Sequence, residues 1–180
     1  MADETPTTPT DGIPTDANGA DNQPMVQALM QYVKDLSAES PNSPHAFQWQ
    51  VQPQVDVQFN INVENVADDV HEVVLKIELA AKSDQGAHFL VDLSYAGLFG
   101  IRNVPDEALA PFLLIEAPRL LFPFARQIVA DAVQNTGFPP LLLEPINFEA
   151  AFVQRMEAAQ AEAQANGGEP AVTDTPVGNA

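Results

Sequence analysis

From Gln54 to Val63 the chain alternates strictly. Gln54, Asp56, Gln58, Asn60 and Asn62 are polar, and Val55, Val57, Phe59, Ile61 and Val63 between them are large and apolar. A period of two puts every apolar side chain on one face of an extended strand and every polar one on the other. Such a strand needs cover on one side only, which an antiparallel sheet with a single layer over it provides. The residues that follow repeat the pattern. Glu64–Asn65 and then Asp68–Asp69 punctuate a turn, after which Val73, Leu75, Ile77 and Leu79 share a face. Ser83–Asp84–Gln85–Gly86 reads as a hairpin turn, and Phe89, Val91, Leu93 and Tyr95 share the face of a further strand. Upstream, Phe47, Trp49 and Val51 offer one more short alternation. Turns this short imply antiparallel neighbours.

The second half changes period. Pro105, Asp106 and Glu107 open a helical segment that reaches Ala117, with Pro111 as its weak point, and Pro118 and Pro123 are expected to break or kink the chain. From Phe124 the spacing Phe124, Ile128 (or Val129), Ala132 and Val133 fits one helical face, and Gly137 after Thr136 supplies an end cap. Asn147 can cap a last helix running to about Ala165, in which Phe148, Phe152 and Met156 fall at i, i+4 and i+8. Strands first and helices second predict an α+β domain with the two main helices on one face of the sheet. Leu113, Leu114, Ile115, Leu120, Leu121, Phe122 and Phe124 are more than one sheet and its helices easily hide. Such a surplus marks an oligomer interface or a binding groove.

Charge narrows the function. The formal net charge is -18. Residues 1–24 carry Asp3, Glu4, Asp11, Asp16 and Asp21, no Lys or Arg, and many Thr, Pro, Asn and Gly; residues 166–180 read alike. Both stretches have too little apolar surface to offset the entropy of ordering, so they are expected to be disordered tails around a domain at 25–165. The domain itself remains acidic, which disfavours nucleic acid and acidic membrane surfaces as partners and favours basic ones. There is no cysteine, so disulfides and thiolate-bound zinc are excluded. Met1–Ala2–Asp3–Glu4 begins no signal peptide, and the longest apolar run, Leu109 to Ile115, falls far short of a membrane span, so a cytoplasmic protein is expected. Nucleotide-binding glycine motifs are absent. Asp69 and His71 would share a strand face, yet nothing marks a third metal ligand beside them, and His45 and His88 are read as solvated or structural. No catalytic constellation, metal or cofactor is indicated.

Four blocks bring in a family. Tyr32–Val–Lys–Asp–Leu–Ser–Ala–Glu–Ser–Pro–Asn–Ser–Pro–His45 resembles the first strand and following loop of the SecB protein-export chaperones. Ala67–Asp–Asp–Val–His–Glu–Val–Val–Leu–Lys76, Leu121–Phe–Pro–Phe–Ala–Arg126, and Thr136–Gly–Phe–Pro–Pro–Leu–Leu–Leu–Glu–Pro–Ile–Asn–Phe148 agree with the same family in the same order. The resemblance covers roughly residues 25 to 156. It adds the segment from Tyr32 to the sheet as a strand and moves Phe47–Val51 into a long loop.

The resemblance implies a four-stranded antiparallel sheet with two main helices, paired subunits forming a homotetramer as a dimer of dimers, and an ATP-independent chaperone. Such a chaperone keeps unfolded secretory precursors competent for translocation and delivers them to the SecA motor. Carried over by position, the client groove would use Phe47, Trp49, Val51, Leu141, Leu143, Phe152 and Met156. Family members commonly have Trp just before Gln–Pro, where this chain has Val51 before Gln52–Pro53; its Trp49 stands two residues earlier, on the same face of an extended chain. The matching SecA-binding positions are Asp35, Glu39, Leu90 and Asp92. Leu90 alternates with Phe89 and Val91 and should face outward among acids. Two other readings share the groove: a related chaperone that controls a toxin–antitoxin pair, and a carrier of a small apolar ligand or lipid.

Overall fold

The computed structural model describes residues 23–166 of the chain. The two expected tails lie outside these residues, apart from 23–24 and 166 at their edges. Strand β1 spans Met25–Glu39, β2 Gln54–Ala67, β3 Val70–Ser83 and β4 Gly86–Arg102. They form one sheet in the order β1–β4–β3–β2, antiparallel throughout. Both tight turns fall where the sequence places them. Asp69 closes the β2–β3 turn in the left-handed region at φ 58°, a conformation that Asp tolerates better than most residues. Between β1 and β2, the loop expected over Phe47–Val51 begins with a short 3₁₀ turn, His45–Gln48, and is extended from Trp49.

Alternation sorts the sheet into two faces. Val73, Leu75, Ile77 and Leu79 of β3 and Phe89, Val91, Leu93 and Tyr95 of β4 are buried on one side, under the helices. The helices are α1, Asp106–Pro111; a π-helical stretch, Phe112–Glu116; α2, Ala117–Asn135; and α3, Phe148–Asn166. Leu121, Val129 and Val133 of α2 meet Leu75, Ile77, Leu93 and Phe99 of the sheet in one cluster of fully buried side chains. Each such side chain stabilises the fold by about 1.5–3 kcal/mol through area removed from water.

The prolines do not break the chain. Asp106 to Asn135 is one continuous helical run. Pro118 directly follows the wider π turns, Phe112–Glu116, where the hydrogen-bond register of the run shifts and its missing amide is accommodated. Pro123 is exposed, so the Arg119 carbonyl that it leaves without a donor faces water. The run is long and apolar enough by length and composition to cross a membrane, which the short stretch Leu109–Ile115 does not suggest. Its stripe against β3 and β4 makes it the core helix of this fold. The buried stripe also differs from the one expected. Leu121, Phe122, Ala125, Val129, Ala132 and Val133 face the sheet, whereas Leu120 and Phe124 point outward, 51% and 53% exposed.

Both helix ends follow the local signals. Gly137 adopts φ +95° just past α2, with its amide donating to the Gln134 carbonyl at 3.0 Å. The Asn147 Oδ1 accepts the Ala150 amide at 3.0 Å and caps α3.

Candidate functional site

Phe47, Trp49, Val51 and Leu141 line a single groove of about 770 Å³. The 3₁₀ turn lifts Phe47 out of the loop, and the extended stretch after it carries Trp49 and Val51 along one wall. Phe47 and Val51 are exposed. The two-residue offset of Trp49 therefore leaves it in the same groove as Val51. The opposite wall is the segment after α2, Gly137 to Leu141. Phe138 joins the walls: its ring centroid is 5.2 Å from Phe47 and 5.2 Å from Phe89. The ring of His88 is buried in the floor, 4.8 Å edge-on from Trp49, with Nε2 3.0 Å from Ser83 Oγ. Phe138 and His88 were not among the residues expected here. Phe138 sits within the Thr136–Phe148 block, directly after Gly137, whose positive φ ends α2; His88 carries no local signal.

The remaining groove candidates lie elsewhere. Leu143 is buried in the core cluster and offers no surface. Phe152 lines a smaller cavity with Phe59, Ile61, Leu114 and Arg155, on the helix side of β2. Met156, one turn farther along α3, is exposed. Phe148, which begins the same stripe, is buried edge-on against Phe59 and Phe122. The structure therefore presents an aromatic groove beside α2 and a separate apolar patch along α3 and β2.

On the other side of the sheet lie the acidic candidates. Glu39 pairs with Leu90, Ser37 with Asp92 and Asp35 with Ser94, so all four predicted residues share the face turned away from the helices. Glu39, Leu90 and Asp92 line one depression of about 430 Å³. Asp35 lines a neighbouring one with Lys34, Glu64 and Glu72. Leu90 is half-buried on the floor of its depression rather than standing free. Asp56, Glu78 and Lys82 complete the rim; they are the outward residues of β2 and β3, polar in the sequence but with no mark of function. Lys76 Nζ stands 2.5 Å from Glu78 and 3.3 Å from Asp92. These carboxylates, Glu78 first, hold its ammonium above the usual lysine range.

The same face contains a buried acid. Glu72 is 5% exposed; its Oε2 accepts from Lys34 Nζ at 2.6 Å and its Oε1 from the Tyr32 hydroxyl. The hydrogen bond from Lys34, and after it that from Tyr32, keeps this carboxyl below the usual carboxylate range. Lys34 is raised by the same contact, and the Tyr32 phenol is raised by its bond to Glu72. Asp69, which would share a face with His71 only on a strand, lies in the expected β2–β3 turn and pairs with Arg102 at 3.3 Å. Among the described residues no group of three or more His, Asp or Glu side chains could hold a metal ion.

A sheet with helices on one side, an aromatic groove at the helix layer and an acidic opposite face can now be set beside known proteins. The family model described as "Preprotein translocase subunit SecB" matches residues 19–159. The chain is 58% identical over 150 residues to a protein-export protein SecB of Sphingopyxis alaskensis, covering 83% of this chain and 87% of that one. It is 51% identical over 164 residues to another from Erythrobacter litoralis, covering 91% and 89%. Among solved structures it is similar to the Mycobacterium tuberculosis SecB-like chaperone in complex with a peptide from the HigA1 antitoxin, with a TM-score of 0.56 and 20% identity, covering 67% of this chain and 90% of that one. That likeness extends to the fold, and the sequence matches carry the rest: by a model spanning most of its length and by relatives more than half identical, this chain belongs to the SecB family of protein-export chaperones.

Proposed function

We propose that this chain is an ATP-independent holdase of the cytoplasm. It binds unfolded secretory precursors in the groove of Phe47, Trp49, Val51 and Leu141, with Phe152 and Met156 as a second patch, and delivers them to the SecA motor through Asp35, Glu39, Leu90 and Asp92. Family membership gives the chaperone role and makes the chain no enzyme. The observation that carries the client-binding reading is the aromatic groove, with Phe47 exposed on the 3₁₀ turn and Val51 exposed on the extended stretch after it. Apolar burial is non-directional, so such a wall accepts many sequences provided they are unfolded. A client that wraps several grooves of a homotetramer gains avidity from effective concentration, which offsets weak single contacts. The exposed Leu120 and Phe124 on α2 and the open edge of β1 supply surfaces for a dimer of dimers. In this reading residues 25–165 are the chaperone domain between two acidic tails. Relatives that share half the sequence bear the name of export proteins, whereas the antitoxin-associated chaperone shares the fold, so export is the reading we adopt.

The test is the refolding of a slow-folding secretory precursor, without nucleotide, with and without the protein. A stoichiometric amount should block refolding and ignore native precursor, and Leu90→Arg should keep that activity while losing SecA. Refolding that proceeds unchanged at several-fold excess would overturn the reading.

A further inference from the structure

Strand β1 changes register at Lys34. Val33 pairs with Tyr95 and Asp35 with Ser94, which leaves Lys34 as an extra residue opposite neither. The shift matters because side chains alternate across a strand. Continued without it, the pairing would set Asp35 opposite Leu93, on the side buried beneath the helices, and would turn Ser37 and Glu39 the same way. With it, Asp35, Ser37 and Glu39 stand beside Ser94, Asp92 and Leu90 on the open face. The bulged residue is tethered. Lys34 reaches across β4 to Glu72 on β3, at 2.6 Å, and Tyr32, on the near side of the bulge, donates to the other oxygen of the same carboxylate. Glu72 is buried, so its charge is satisfied by these two groups from one strand.

We propose that Lys34, Tyr32 and Glu72 form a clamp that holds the β1 bulge and thereby presents Asp35 and Glu39 to the motor: they are positioning residues for docking, not contacts in it. The proposal rests on the reading of the acidic face as the SecA surface. It also carries a sign that separates it from simple electrostatics. Lys34 is a cation on an acidic face, so if it acted by charge alone its removal would tighten binding to a basic partner. As the clamp, its removal lets the bulge slip and weakens binding.

The experiment measures SecA affinity by titration calorimetry for the parent and for Lys34→Met, Lys34→Arg, Asp35→Lys and Leu90→Arg, with precursor holding measured on each. Support is a loss of roughly tenfold or more in SecA affinity for Lys34→Met, recovery in Lys34→Arg, and holding unchanged in both. If Lys34→Met binds SecA as tightly as the parent or more tightly, while Asp35→Lys and Leu90→Arg fail, the clamp is wrong and the docking surface stands. Normal SecA binding by Asp35→Lys and Leu90→Arg removes the docking surface and the clamp with it. Loss of both holding and SecA binding in Lys34→Met means that the pair supports the whole fold, and the proposal falls.

Discussion

The buried carboxylate of Glu72 links stability to pH in a defined direction. Lys34 first, and then Tyr32, stabilise its charged form, so its pKa in the folded chain lies below the unfolded value of about 4.3. Its contribution is complete above that value and is lost as pH falls through the lower, folded one. Lys34 works in the opposite sense. Its raised pKa keeps its contribution intact below about 10.4, the ordinary lysine value, and that contribution disappears only as pH rises past it. Because the Lys34 side chain is about half exposed, solvent screens much of the effect. In urea titrations the parent should hold a flat midpoint near neutrality and lose stability below about pH 4, whereas Glu72→Gln should start lower and fall less steeply over the same acid range. An unchanged acid slope would exclude Glu72 as its source.

At the scale of elements, β4 passes close beneath α2 at Gly97. A Cβ placed on Gly97 would come within 2.8 Å of Leu121 Cδ2 and 2.9 Å of Phe99 Cε2. Neither neighbour has room, since both are fully buried. Gly97→Ala should therefore cost about 1–3 kcal/mol by overpacking, read as a lower thermal midpoint with the sheet signal in circular dichroism retained. The strands at this contact are legible in the sequence because alternation is a local property: Val55–Val63, Val73–Leu79 and Phe89–Tyr95 each declare a face without reference to anything distant. The helix over them is less so. Pro111, Pro118 and Pro123 are local signals for a break, and what overrides them is tertiary. The sheet buries Leu113, Leu121 and Val129 as one stripe, and a π stretch absorbs the register change. Phe124 leaves the buried face because the stripe of α2 runs through Leu121, Ala125, Val129 and Val133, one position out of phase with it. Phe47, Trp49, Val51 and Leu141, taken from the family resemblance, do line one groove; Leu143 could not be assigned from spacing because the backbone from Pro139 to Asn147 has no period, and the helical spacing of Phe152 and Met156 gives their stripe but not which wall it faces. The Lys34 bulge leaves no compositional trace, since an extra residue in a strand looks like any other until its partner is known.

For the whole molecule, the question is what covers the outer side of α2. Leu120 and Phe124 are about half exposed there, one turn apart, on a helix whose opposite side is fully packed. Phe124 stacks over Tyr95 at a ring-centroid distance of 6.5 Å, which leaves its other side open. If this side joins pairs of subunits, Leu120→Asp together with Phe124→Asp should shift the protein to a smaller assembly in sedimentation and native mass spectrometry, with helical content unchanged; an assembly of parental mass would locate the contact elsewhere.

Phe89 and Leu90 are consecutive residues of β4, and they look out through opposite sides of the sheet, one into the aromatic groove and the next into the acidic depression. If cargo and motor take these two sides as proposed, they do not compete for a berth. Each would reach its own side of a single layer of backbone, so a loaded carrier would stay as recognisable as an empty one, and transfer could begin before anything has let go.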